Sequence, residues 1–238
     1  MVEEKVVRYD IFQRVYHWVN LASLLILLWG GLTIFDLNIL GVRPFSAIAQ
    51  AVIGQNYTPL VADLHKYASF ILLGSLIFHI GYDTGIKGLF WSELPSKAEL
   101  KAQNIMAANF LGRSKVYVKF HKYNPGQKML HIGFAFVILL IGATGLMLSA
   151  NYRWMVPVWW LNIDFDFLNY WTRVIHDLLT FVLITMVIMH FYFAVRRENL
   201  PSFKSMIVGW VPKSFQDQHF AKGEEPELII PKSEAGKK

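Results

Sequence analysis

The sequence predicts an all-α membrane protein, a bundle of four helices that cross the bilayer. Hydrophobic residues make up 54% of the 238 residues and charged residues only 17%, whereas soluble domains usually carry about 25% charged residues. The mean hydropathy is +0.35. Crossing a hydrocarbon core takes roughly 17 to 25 residues, and four apolar stretches provide that length. They are residues 18–35, 67–82 (extended outward to His65), 129–152 and 178–195.

Basic residues predict the orientation of these spans. Nineteen of the 23 Lys and Arg residues lie before the first span, between the second and third, or after the fourth. The other side holds only four, which are Arg43, Lys66, Arg153 and Arg173. Because cytoplasmic loops are rich in Lys and Arg, we expect both termini to be cytoplasmic. These flanks account for the net charge of +6, so the charge does not indicate a nucleic-acid partner.

The predicted domain organisation is one membrane domain, residues 1–220, followed by a polar tail. The first apolar stretch lacks a small-residue cleavage site, so we interpret it as a span and not as a signal peptide. After Phe220 the sequence becomes rich in Glu, Lys and Pro. This composition predicts a disordered cytoplasmic tail over residues 221–238.

Histidines are the candidate metal ligands, because the chain contains no Cys. The absence of Cys excludes covalent c-type haem, thiolate-bound iron–sulfur clusters and disulfides. An ionisable side chain inside a membrane is costly and is usually functional. His65 and His79, like His176 and His190, are 14 residues apart. On a helix this spacing returns to nearly the same face about 21 Å further along, which suits two metal-bearing groups, such as haems, stacked across a membrane.

Depth in the membrane limits the ligand pairs, since two imidazoles that share a haem must lie at one level on different helices. At the outer surface only His65 and His176 are available. At the inner surface His190 has three candidate partners, which are His17, His79 and His131. Spacing alone favours His79, and depth does not separate it from His17.

Glycines within the spans give weaker support for haem binding. The spans contain Gly30, Gly31, Gly74, Gly142 and Gly145. A flat porphyrin needs helix positions without side chains, but helix–helix packing in membranes also favours small residues. Glycine content alone therefore does not decide between a cofactor site and packing.

Several motifs resemble a known family. Residues 122–129, just before the third span, read Lys–Tyr–Asn–Pro–Gly–Gln–Lys–Met. The others are Arg–Val–Tyr–His–Trp at 14–18, Ile–His at 175–176, Met–His–Phe–Tyr at 189–192, and Ser–Met–Ile at 205–207 with Gly209. Together they resemble the γ subunit of respiratory formate dehydrogenase, a four-helix cytochrome b related to the b-type cytochromes of membrane-bound nickel–iron hydrogenases. The similarity covers residues 8–220.

The resemblance implies two non-covalent b-type haems. His17 matches the first-span ligand, which pairs with His190 at the inner haem. His65 matches the second-span ligand, which pairs with His176 at the outer haem. It is the resemblance, and not spacing, that favours His17 over His79. His79 and His131 are additional histidines that the family pattern does not include.

The resemblance also implies a quinone pocket beside the inner haem. Asn124, Gly126 and Gln127 match the loop that lines this pocket, and His190 contributes to it. Pro125 departs from the pattern, because the family has a small residue there. The expected substrate is menaquinone or ubiquinone.

The predicted function is therefore electron transfer in a prokaryotic cytoplasmic membrane. We expect the chain to connect a periplasmic iron–sulfur subunit, itself bound to a catalytic oxidoreductase subunit, with membrane quinone. A higher-order oligomer of that complex is compatible with the sequence. The direction of electron flow and the substrate of the partner, whether formate, hydrogen or another compound, stay open. The rival interpretation is a haem-free transporter or proton channel that uses the intramembrane histidines as a relay.

Overall fold

Four long apolar helices dominate the computed structural model, which describes residues 3–86, 94–149, 154, 164–223 and 225–229. The four are α1 (Ile11–Ile34), α3 (Tyr57–Gly81), α5 (Pro125–Leu148) and α6 (Phe165–Val195), and α2 (Pro44–Ile53) lies between the first two. Each of the four is long and apolar enough to cross a membrane. They confirm the predicted spans, and the chain is a mostly helical, multi-pass membrane protein.

The helices extend beyond the apolar stretches that predicted them. The helix α6 begins at Phe165, well before residue 178, where its uncharged stretch starts. Asp164 caps this start, since its Oδ1 accepts a hydrogen bond of 2.9 Å from the backbone N–H of Phe167. The negative charges of the capping carboxylate and of Asp166 in the first turn both stabilise the helix, because the N-terminal end of the helix dipole is positive. Polar flanks with good caps therefore lengthen the helix at its start.

Shorter elements complete the described chain. They are the helices α4 (Lys97–Phe110), α7 (Leu200–Val208) and α8 (Lys213–His219), a π-helical turn (Tyr82–Ile86), a 3₁₀ turn (Arg197–Asn199), and the strands β1 (Lys5–Val7), β2 (Tyr117–Lys119), β3 (Trp210–Pro212) and β4 (Glu227–Ile229). The strands form two antiparallel pairs, β1 with β3 and β2 with β4. Within residues 221–238, for which we predicted a disordered tail, residues 227–229 form β4, and residues 224 and 230–238 lie outside the described residues. The domain boundaries stay a prediction.

The chain forms two compact units. The helical unit comprises Ile11–Tyr82 and Phe136–Ile184. The strand-containing unit comprises Met1–Asp10, Asp83–Ala135 and Thr185–Lys238. The two ends of α5, and likewise of α6, therefore belong to different units.

In the helical unit, α1 packs along α3. The buried face of α3 is formed by Val61, Ala68, Leu72 and Leu76. Their spacing of seven and four residues places them on one stripe of the helix. Other large apolar side chains point outward, among them Leu25, Ile71, Phe136 and Phe181. Apolar side chains on the outer face are what lipid-facing helices require.

In the strand-containing unit, backbone pairing joins segments that are far apart in the sequence. Val6 of β1 pairs with Val211 of β3, which is fully buried. The guanidinium of Arg8 donates a 2.9 Å hydrogen bond to the carbonyl of Lys122 and lies 4.1 Å from the Phe220 ring. These contacts connect the N-terminal arm to the segments that precede α5 and follow α8.

Candidate functional site

His65 and His176 lie together in the helical unit. His65 belongs to α3 and His176 to α6, and their ring centroids are 6.5 Å apart. An imidazole nitrogen lies about 2 Å from a bound transition metal, so two ligating nitrogens are about 4 Å apart and their ring centres roughly 6 Å apart. The observed separation therefore suits two imidazoles that share one metal ion.

The tautomer of His65 is fixed by a backbone carbonyl. The Nδ1 atom of His65 is 3.1 Å from the carbonyl oxygen of Leu27 in α1. A carbonyl oxygen can only accept, so Nδ1 must carry the proton and donate it. In the neutral ring the other nitrogen, Nε2, then presents a lone pair, which is the form that binds a metal.

The tautomer of His176 follows from Thr144. The Thr144 Oγ1 atom is 2.9 Å from His176 Nδ1. The same hydroxyl donates to the carbonyls of Leu140 and Ile141, at 3.0 and 2.9 Å. Because a hydroxyl has one proton, Thr144 accepts from the Nδ1–H of His176. Both histidines of the pair therefore keep Nε2 free for a metal.

Glycines surround the imidazole pair. A Cβ atom on Gly30 would stand 3.3 Å from the His65 Cβ, and one on Gly31 would stand 3.3 Å from its Cε1. A Cβ atom on Gly145 would stand 3.4 Å from Cε1 of His176. The first two distances are shorter than an ordinary van der Waals contact, so a side chain at Gly30 or Gly31 would push on His65, whereas a Cβ at Gly145 would only touch His176. Gly30 and Gly31 thus make room for His65.

Two other span glycines, Gly142 and Gly74, behave differently. A Cβ atom on Gly142 would stand 2.7 Å from a methyl carbon of Leu73, so this glycine permits close helix packing. A Cβ atom on Gly74 would meet nothing within 4 Å. The glycines of the spans therefore serve more than one purpose.

The donor set fits haem better than a bare metal ion. Among the described residues, no group of three or more His, Cys, Asp or Glu side chains could hold a metal ion. A structural zinc site needs four protein ligands. Haem iron takes its equatorial nitrogens from the porphyrin and needs only axial ligands from the protein. A pair of half-buried imidazoles with free Nε2 atoms meets that requirement.

The inner histidines are divided between the two units. His17 and His79 lie in the helical unit, while His131 and His190 lie in the strand-containing unit. The His79 ring packs against Tyr16, with centroids 4.3 Å apart. The assignment of His17 and His190 to an inner haem stays a prediction.

The polar loop before α5 forms a capping box, a reciprocal pair of hydrogen bonds at the helix start. Asn124 Oδ1 accepts from the backbone N–H of Gln127 at 2.8 Å, and Gln127 Oε1 accepts from the backbone N–H of Asn124 at 3.0 Å. Since backbone N–H groups only donate, both amide oxygens must face the backbone. The side-chain NH₂ groups of Asn124 and Gln127 are the atoms left to hold a ligand carbonyl.

The helix α4 lies beside this loop. A Cβ atom on Gly126 would stand 3.4 Å from Nε2 of Gln103 in α4. The start of α4 is tied to α5 by an ion pair of 2.9 Å between Glu99 and Lys128, whose side chains are only 6% and 10% exposed. Sequence reasoning missed Gln103 and Thr144, because neither residue belongs to a recognisable motif.

Two comparisons with known proteins identify the family of this chain. The sequence model of the prokaryotic cytochrome b561 family matches residues 8–209. The chain is also 22% identical, over 234 residues, to the formate dehydrogenase cytochrome b556 subunit of Haemophilus influenzae, covering 95% of this chain and 85% of that protein. The chain belongs to the prokaryotic cytochrome b561 family. It is therefore a membrane cytochrome b, and membership implies b-type haem and electron transport.

Proposed function

We propose that this cytochrome b is the di-haem membrane subunit of a formate dehydrogenase-like respiratory complex. In this role it passes electrons between a periplasmic iron–sulfur subunit and quinone in the prokaryotic cytoplasmic membrane. The observation that carries the proposal is the pairing of His65 with His176, whose ring centroids are 6.5 Å apart. The resemblance to a formate dehydrogenase cytochrome b556 subunit supports the choice of complex.

His65 and His176 hold the outer haem in this proposal. When bound, a haem with two imidazole ligands supplies reversible one-electron transfer. The carbonyl of Leu27 and the hydroxyl of Thr144 keep the two rings in the Nδ1–H tautomer. Such outer partners fix the ring orientation and raise the basicity of a metal ligand.

His17 and His190 hold the inner haem, an assignment that rests on the family resemblance. The resemblance likewise supports a quinone pocket formed by Asn124, Gly126 and Gln127 together with His190. The capping box supports this role, because it leaves the NH₂ groups of Asn124 and Gln127 as donors. A quinone carbonyl is an acceptor and suits such donors. Reduction to quinol takes two electrons, which come from the periplasmic partner, and two protons, which cytoplasmic water supplies.

The partners follow from the same proposal. A complex of this kind needs a periplasmic iron–sulfur subunit and a catalytic subunit, because this chain has no Cys to hold a cluster. Both directions of electron flow use the same residues. Moving one electron across 100 mV involves about 2.3 kcal/mol, so electron transfer between two sides of the membrane can build membrane potential.

Counting haem per chain tests the proposal. The full-length chain, purified with its native partners, should bind two haems and show a Soret band. His65→Ala and His176→Ala should each lose the same single haem. His17→Ala should lose the other haem, whereas the matched variant His79→Ala should keep both.

Three results would contradict parts of this proposal. A wild-type protein without a Soret band would favour the haem-free transporter or proton channel. Retention of both haems by His17→Ala, with loss of one by His79→Ala, would move the inner ligand to His79. Co-purification with subunits other than an iron–sulfur protein and an oxidoreductase would refute the proposed complex.

A further inference from the structure

An unpaired acceptor lies next to the proposed quinone loop. The Oε1 atom of Gln103 is buried and has no hydrogen-bond partner in the described part of the chain. The other amide atom, Nε2, is 3.4 Å from where a Cβ atom of Gly126 would stand. Leaving a buried acceptor unpaired is costly, and an orphaned atom in a native structure calls for an explanation.

The position of Gln103 is held by contacts at both ends of α4. At the start, Ser96 and Glu99 form a capping box with hydrogen bonds of 2.8 and 3.2 Å. The buried Glu99–Lys128 ion pair ties this turn to α5. At the far end, the Asn109 side chain donates a 3.0 Å bond to the carbonyl of Val116. Gln103 lies one turn after Glu99, so these contacts hold it beside Gly126.

The chemistry of a quinone site requires both kinds of polar partner. A quinone carbonyl accepts hydrogen bonds, whereas the hydroxyl of the quinol also donates one. The loop offers donors to the carbonyl, because the oxygens of Asn124 and Gln127 accept from each other's backbone N–H. The Glu99 carboxylate already forms an ion pair with Lys128 and accepts a hydrogen bond from the Ser96 backbone N–H. Of these groups, Gln103 Oε1 is the acceptor without a hydrogen-bond partner among the described residues, so it is available to a quinol hydroxyl.

We infer that Gln103 is a further specificity-determining residue of the quinone site, which accepts a hydrogen bond from the hydroxyl of bound quinol. This inference rests on the proposed function, since it assumes that quinone binds at residues 124–127. It deepens that function by assigning the discrimination between quinol and quinone to one side chain outside the family motif.

The test compares the two oxidation states of one probe in the full-length protein, purified with its native partners. Menadiol binding is measured by anaerobic calorimetry with the protein held reduced, and menadione binding with the protein held oxidised, so that no electrons are exchanged. Gln103→Leu should weaken menadiol binding roughly three- to tenfold, the loss expected for one hydrogen bond. Menadione binding should change less than about twofold.

Two further variants serve as controls. Gln103→Glu retains an acceptor and should keep menadiol affinity, which shows that the loss in Gln103→Leu is not a folding defect. Asn104→Leu alters the next residue, which is exposed, and should change neither affinity.

Each remaining outcome overturns the inference. Equal weakening of both ligands by Gln103→Leu would indicate a structural role, and no weakening would place the residue outside the site. Loss of menadione affinity alone would show that Gln103 presents its N–H group to the ligand. If the wild-type protein binds neither probe, the proposed quinone site is refuted together with the inference. If the wild-type protein binds both probes and Gln103→Leu changes neither affinity, only the inference is refuted.

Discussion

Replacing Thr144 by Val tests whether His176 is an oriented metal ligand or merely a helix-packing residue. Valine has nearly the shape of threonine but cannot accept the hydrogen bond from His176 Nδ1, which is 2.9 Å long. The variant therefore removes the hydroxyl, with its bonds to His176 and to the carbonyls of Leu140 and Ile141, and leaves the packing volume almost unchanged. Without the hydroxyl the imidazole loses an acceptor that holds its Nδ1–H tautomer and its orientation.

The two interpretations differ in magnitude. A hydrogen bond that only joins two membrane helices contributes about 0.6 kcal/mol, or roughly threefold in an equilibrium constant. It should affect the stability of the protein and leave haem binding unchanged. A bond that orients a metal-ligating imidazole typically changes affinity for the metal by about 10- to 100-fold. We therefore expect Thr144→Val to weaken haem binding at His176 by about tenfold or more.

The assay is the rate of haem transfer from the purified full-length chain to an excess of apomyoglobin. Thr144→Val should accelerate the loss of one of the two proposed haems and leave the other unchanged. Thr180→Val is the matched control, because Thr180 bonds the backbone carbonyl of His176, at 2.9 Å, and not its ring. Thr144→Ser keeps the hydroxyl and should behave like wild type. Equal haem loss from Thr144→Val and Thr180→Val would refute the reasoning.

Three further predictions concern other contacts. Gly31→Val should displace the His65 ring and remove one proposed haem, measured by the pyridine haemochrome assay, whereas Gly74→Val, in open space, should remove none. Glu99→Gln leaves the buried ammonium of Lys128 without its carboxylate and should destabilise α4 by about 3 to 5 kcal/mol. Backbone amides of α4 should then exchange hydrogen faster, and unchanged exchange would contradict this prediction. The pKa of Lys213 is raised above 10.5 by a hydrogen bond to Glu4. Glu4→Gln should lower that pKa in an NMR titration, and the stabilisation by this pair should be present at neutral pH and fade as the pH rises through the folded-state value.

The four spans could be predicted because lipid imposes a simple requirement on sequence. A helix in hydrocarbon needs a long apolar stretch, and each predicted stretch corresponds to a helix that is long and apolar enough to span. The helix starts could not be predicted equally well, since hydropathy does not detect polar turns. The helix α3 begins at Tyr57, before the uncharged stretch that starts at residue 67. Residues outside the apolar stretch can be helical wherever water or a cap satisfies their backbone groups. Three-residue strands such as β1 and β3 escaped prediction because their partners are about 200 residues apart.

For the proposed outer histidine pair, depth in the membrane left a single combination. What depth could not supply was the chemistry around the rings. Thr144 resembles any other hydroxyl residue within a span, and such residues usually bond to their own helix. Only the three-dimensional placement opposite His176 shows that Thr144 sets a tautomer. Likewise, Gly31 and Gly142 look equivalent in the sequence, but one faces His65 and the other faces Leu73.

The polar loop shows how one local pattern can have two consequences. Asn124 and Gln127 have the spacing of a capping box, so the sequence already contained the signal that their oxygens cap α5. That signal determines the polarity of the proposed pocket, because an amide whose oxygen faces the backbone turns its NH₂ group outward. A pocket lined with donors favours the oxidised ligand and must obtain an acceptor from elsewhere to hold the reduced one. Gln103, more than twenty residues earlier in the sequence, supplies such an acceptor only because α4 folds against the start of α5. Motif matching could therefore find the loop but not the residue that completes it.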